Sequence, residues 1–178
     1  PDVEETLFCL GKVHHRNKNV RYALDFFCAA VKARDGRLGR THLRMNDAES
    51  FLRVGLLQQE AGEFRQALNS FEECLRIRRH IVNEYDPSLA ELLFYIANLL
   101  REVGDLHLAQ SRYEDALDIL ERSGSENTET ADVLFSLGVL HTEKEEYSTA
   151  LDFYLRALQI HKFLSTKIVI AEILNNIG

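Results

Sequence analysis

Tryptophan is absent from this 178-residue chain, methionine occurs once and proline twice. So few prolines leave room for long unbroken helices and argue against a β protein punctuated by Pro/Gly turns. The three cysteines, Cys9, Cys28 and Cys74, are an odd number without paired spacing, and no N-x-S/T sequon occurs. Both point to a reducing compartment, and cytoplasmic localisation is expected. Apolar runs are only a few residues long, which excludes a helical membrane span. Catalytic signatures are missing too: there is no HExxH, G-x-S-x-G, Walker loop or CxxC. Gly36-Arg37-Leu38-Gly39 lacks a lysine and a strand–helix context, so it reads as a turn. His14 and His15 are adjacent and would diverge on a helix, and a zinc site from Cys9, His14 and Cys28 would need several geometric coincidences. No enzyme activity, metal or cofactor is expected.

What is present is a globular composition, with 46% hydrophobic and 28% charged residues. The formal net charge is -7, unevenly spread. Residues 1–46 carry nine Lys/Arg against five Asp/Glu, and the remainder is strongly acidic. An acidic body argues against nucleic-acid binding, because phosphate backbones reward positive surfaces.

One pattern recurs four times and begins a fifth. A small residue closes an apolar stretch and an alanine follows twelve residues later: Gly11 and Ala23, Gly55 and Ala67, Ala97 and Ala109, Gly138 and Ala150, then Gly178 at the end. Each alanine is followed by an aromatic at i+4 (Phe27, Phe71, Tyr113, Tyr154) and a further small residue at i+7 (Ala30, Cys74, Ala116, Ala157). These offsets describe two amphipathic helices per repeat, with small residues where the backbones approach. Gly62 and Gly104 supply turns between the helices. An acid lies six residues before each small residue: Glu5, Glu49, Glu91, Asp132 and Glu172. Each is expected in a helix first turn, where the dipole favours negative charge. Asp2-x-x-Glu5, Asn46-x-x-Glu49 and Ser88-x-x-Glu91 have capping-box spacing.

The expected helices span 3–16, 19–34, 47–60, 63–83, 88–103, 105–122, 129–144, 146–162 and 167–178, with a long link over 35–46. No low-complexity linker divides them. The fold class is all-α: a right-handed superhelical α-solenoid of antiparallel helix pairs in one domain, 1–178, about four and a half repeats long. The repeats are 3–45, 46–87, 88–128, 129–165 and a partial 166–178. Both ends fall in mid-pattern, as in a piece of a longer protein.

The pattern resembles the tetratricopeptide repeat (TPR) family. Repeat four matches with Leu134, Leu137-Gly138, Tyr147, Ala150, Tyr154 and Ala157, and repeat two with Phe51, Val54-Gly55, Gly62, Phe64, Ala67 and Phe71. Repeat lengths of 40–44 residues, Asp86-Pro87-Ser88-Leu89-Ala90 and Leu174-Asn175-Asn176-Ile177-Gly178 are similar to kinesin light chain. The resemblance implies an adaptor or scaffold module, cargo-adaptor-like, that binds a peptide or protein on a concave face lined by first helices. The groove positions it implies are Lys12, Arg53, Leu56, Phe94, Tyr95, Asn98, Arg101, Phe135, Val139 and Asn176. Asparagines recurring in the light chain fall here at Cys9, Arg53, Tyr95 and Ser136, with Asn176 alone matching, and the family's carboxylate clamp is absent.

At these positions Asn98 would pair with a peptide backbone, Phe94 and Tyr95 would take an apolar anchor, and Arg53 and Arg101 a carboxylate. The expected partner segment therefore combines apolar and acidic residues. The opposing expectation is that Phe8, Leu52, Phe94 and Phe135 pack internally and the arginines pair with Glu60 and Glu102. An alternative function is self-assembly. Ile168, Val169, Ile170, Ala171, Ile173, Leu174 and Ile177 would make an uncapped apolar helix able to form a homo-oligomer.

Overall fold

The computed structural model describes residues 3–38, 45–124, 127–163 and 176. Among them every regular element is a helix: α1 (Val3–Arg16), α2 (Val20–Leu38), α3 (Met45–Glu60), α4 (Phe64–Ile81), α5 (Pro87–Glu102), α6 (Leu106–Arg122), α7 (Thr128–Glu143) and α8 (Tyr147–Phe163). The chain forms two compact units, Pro1–Asn83 and Glu84–Gly178. Each unit contains two helix pairs, α1/α2 and α3/α4 in the first, α5/α6 and α7/α8 in the second. Within the units, α2 also packs on α3, α6 on α7, and the first helices α5 and α7 touch.

The small residue of each repeat sits under the aromatic ring of its partner helix. A Cβ added to Gly11 would lie 2.8 Å from Phe27 ring carbons, one on Gly55 2.6 Å from Phe71, and one on Gly138 2.5 Å from Tyr154. The ring therefore occupies the space a side chain would need, and the helices close onto each other. The third pair carries Ala97 and Tyr113, both completely buried. A second ring on the first helix leans against the same aromatic: Phe8 on Phe27 at 5.6 Å, Phe94 on Tyr113 at 5.9 Å and Phe135 on Tyr154 at 5.6 Å between centroids. Leu52 holds that place in the second repeat and is buried. Burying a ring such as Phe27 or Phe71 contributes on the order of 2–3 kcal/mol.

Turns follow an equally regular rule. Seven residues after each small residue the backbone enters the left-handed region, at Lys18 (φ 58), Gly62 (φ 76), Gly104 (φ 87) and Glu145 (φ 61). Two of the four positions hold glycine, which alone adopts this conformation without a Cβ penalty.

The helix starts differ from the expected ones. Asp86 caps α5 by accepting from the Ser88 N–H at 2.9 Å, with Pro87 in the first turn. Ser88 is therefore inside the helix, and Glu91 falls beyond the first turn. Asn127 caps α7 by accepting from the Thr130 N–H at 3.1 Å, so Glu129 rather than Asp132 is the first-turn acid. α3 begins at Met45, which places Asn46 within it and Asp47 in the first turn. The capping-box assignment of Glu49 and Glu91 is thus corrected. An Asp or Asn that bonds a free N–H starts the helix one residue or more before the spacing suggested. α2 continues through Gly36-Arg37-Leu38 instead of turning there. One glycine costs a helix only about 1 kcal/mol, which the continued hydrogen bonding offsets. Residues 39–44 and, apart from exposed Asn176, the expected ninth helix lie outside the described residues.

Candidate partner-binding surface

In the first unit, Lys12 is exposed and its ammonium stands 4.3 Å from the Phe8 ring centroid. Leu56 is half-buried on α3. Arg53 pairs with Glu49 at 2.8 Å, one turn earlier on the same helix, and not with Glu60. Glu49 also lies 3.9 Å from Arg78 of α4.

The second unit holds the other seven positions, of which Asn176 is exposed. Phe94, Tyr95, Asn98 and Arg101 descend α5, and Phe135 and Val139 stand on α7, all half-buried. Asn98 is engaged from within, since its Oδ1 accepts the Tyr113 hydroxyl at 2.6 Å. Burial of the Tyr113 hydroxyl raises its pKa to about 12. The amide N–H groups of Asn98 are the part left to address a ligand. Arg101 reaches Glu143 of α7 at 3.2 Å and lies 3.8 Å from Glu102. It works as a tie between α5 and α7, so it is less available to a partner carboxylate than the sequence suggested. Phe135 packs against Tyr154 as described above.

Phe94 and Tyr95 open onto a cleft of about 190 Å³ between α5 and α7. Its lining also includes Ala90, Glu91, Leu120, Glu129, Asp132 and Val133. The two rings lie 6.5 Å apart at 51°, and the Tyr95 hydroxyl donates to Glu91 at 3.3 Å. Desolvation raises the pKa of Asp132; the charge of His161 opposes the rise and that of Glu129 adds to it. Sequence reasoning did not place carboxylates at this cleft, because Glu91 and Asp132 were assigned to helix starts. Their common register, six residues before the small residue, is the signal that places one on each wall. A larger cavity of about 520 Å³ lies among α6, α7 and α8. Its lining includes Glu121 and Arg156, which are paired with each other at 2.6 Å.

Among the described residues, no group of three His, Cys, Asp or Glu side chains could hold a metal ion. No described helix is long and apolar enough to cross a membrane.

A tetratricopeptide repeat family model matches residues 88–162, and a second matches residues 48–80. The chain belongs to the tetratricopeptide repeat family. A curated relative, human tetratricopeptide repeat protein 29, is 27% identical over 159 residues, covering 84% of this chain and 33% of its own length. The chain therefore spans about a third of the curated relative it matches. In fold, BtubC (BKLC) from P. vanneervenii has a TM-score of 0.81 at 20% identity, covering 98% of this chain and 70% of that one. The apo form of RapI has a TM-score of 0.83 at 19% identity, covering 98% of this chain and 47% of that one. The TPR fold is thus an all-α helical-repeat solenoid, and the long repeats that resemble kinesin light chain have a fold counterpart in BtubC. TPR chains are in general protein–protein interaction modules of the adaptor or scaffold type.

Proposed function

We propose that this TPR chain is a non-enzymatic cytoplasmic module, one continuous repeat domain, that holds a peptide segment of a protein partner against its first helices. The observation that carries the reading is the cleft between α5 and α7, where Phe94 and Tyr95 remain half-buried although their neighbours are packed. Two rings at a cleft offer apolar area at low entropic cost, as expected of an anchor pocket. Asn98 supplies N–H donors one turn further along α5. The acidic-segment reading has less support, because Arg53 and Arg101 each already have a carboxylate within reach. A cargo-adaptor role fits the long-repeat resemblance and awaits the motif itself.

Selection of a random peptide display library on the folded chain, repeated with Tyr95→Ala, tests the reading. A consensus motif enriched by the parent and lost with the variant is the expected result. No enrichment from a folded chain refutes it. Self-association has one observation in its favour: Tyr147, Leu151 and Leu155 form an exposed i, i+4, i+8 stripe on α8, at 65%, 40% and 49% exposure. A light-scattering mass that stays monomeric as concentration rises would rule it out.

A further inference from the structure

We infer that the cleft between α5 and α7 receives a single arginine side chain from the bound partner segment. This rests on the peptide-binding reading and names the chemistry its central pocket selects.

The argument begins with size. A volume of about 190 Å³ is below the range of cofactor-sized sites and suits one long side chain. Charge comes next. Glu91 stands on the α5 wall, Glu129 and Asp132 on the α7 wall, and no lysine or arginine is among the lining residues. Three exposed carboxylates around one small cleft repel each other; desolvation acts against the charge on Asp132, His161 supports it and the neighbouring Glu129 opposes it. A cation entering between the walls relieves that repulsion and makes charge-assisted hydrogen bonds to the carboxylates. Shape then separates the two cationic side chains. Phe94 and Tyr95, tilted 51° to one another, offer ring faces beside the carboxylates. A planar guanidinium stacks on such a face while its N–H groups reach carboxylate oxygens, whereas an ammonium acts as a point charge. The Tyr95 hydroxyl, bonded to Glu91 at 3.3 Å, holds ring and carboxylate in register for both contacts.

The repeat before this one shows how an acid in the same register is covered from within. The acid six residues before the small residue recurs as Glu49 in α3, but there Arg53 covers it at 2.8 Å. In α5 the equivalent of Arg53 is Tyr95, so an aromatic ring replaces the internal guanidinium.

Isotope-edited NMR titration of the whole chain provides the test, with acetyl-Gly-Leu-Arg-Leu-Gly-amide as probe and its citrulline counterpart as the uncharged isostere. The arginine peptide should shift the amides of Glu91, Tyr95, Glu129 and Asp132. It should bind about threefold or more tightly than the citrulline peptide, the scale of partly exposed ion pairs. Glu129→Gln with Asp132→Asn should abolish that preference. Equal binding of the two peptides, or shifts confined to amides outside the cleft, overturns the inference; because the isostere changes the peptide alone, this holds even if the variant misfolds. The peptide-binding reading fails separately. A display motif without arginine that is lost with Tyr95→Ala would keep that reading and sink this one.

Discussion

Glu145 stands in the turn between α7 and α8 with φ at 61°, where Gly62 and Gly104 occupy the equivalent turns of earlier repeats. An L-residue in the left-handed region costs roughly 1–2 kcal/mol. Glycine escapes that cost but loses about 0.5–1 kcal/mol more conformational freedom on folding. The difference predicts that Glu145→Gly stabilises the chain by about 0.5–1 kcal/mol. The contacts of the turn are backbone ones and survive the change: the Glu145 N–H donates to Thr142 at 3.0 Å and the Glu146 N–H to His141 at 2.9 Å. The Glu145 side chain is exposed and makes no hydrogen bond or ion pair among the described residues. For a chain of this size the gain corresponds to about 1–4 °C in Tm. Urea unfolding followed by circular dichroism measures it as a rise in midpoint at unchanged slope. Lys18→Gly, at φ 58° in another helix pair, should add a similar increment independently. A lower midpoint for Glu145→Gly would refute the argument, because the strain assigned to the turn would not be present.

Gly138→Leu should destabilise by about 1–3 kcal/mol or more, since even its Cβ would meet Tyr154 at 2.5 Å; unchanged urea stability would show that the small-residue rule is not steric. Tyr113 is expected to couple stability to alkaline pH. Its folded pKa of about 12 lies above the ordinary value near 10, so the stability from its neutral hydroxyl is complete below about pH 10 and is lost as pH rises toward 12, up to about 2 kcal/mol. Tyr113→Phe should therefore flatten the alkaline fall in Tm, and a fall unchanged in the variant would contradict this. Among the thiols, exposed Cys9 should react first with a disulfide reagent at neutral pH. Half-buried Cys28, whose pKa is raised by desolvation, should follow. Cys74, buried with its Sγ 3.0 Å from the Ala48 carbonyl oxygen, should wait for unfolding; mass spectrometry of timed samples gives the order.

The helix pairs were legible because close packing leaves a mark at fixed offsets. A ring that presses on a backbone forbids a side chain there, so Gly11, Gly55 and Gly138 announce Phe27, Phe71 and Tyr154 sixteen residues later. Helix ends were less legible, because a cap depends on which side chain reaches a free N–H. Asp86 and Asn127 do so, while the spacing alone favoured Ser88 and the acids beyond it. The run through Gly36 was misread for a related reason: a glycine permits a turn without requiring one.

The site was legible in position but not in charge. Reading Arg53 and Arg101 as available cations ignores that each lies within ion-pairing distance of an acid, Glu49 one turn away and Glu143 on the next first helix. The first pair is local and could be read from an i, i+4 spacing; the second needs the register of α5 against α7, which no single repeat contains. The reverse holds for the carboxylates. Glu91 and Asp132 were visible as a repeated feature and were given the most economical local role, complementing a helix dipole. Once Asp86 and Asn127 take over the helix starts, those acids sit a turn deeper and face each other across a cleft. Moving a helix start by one or two residues thus releases two acids from a capping role, and the arginine pocket we infer rests on reading them as cleft walls instead.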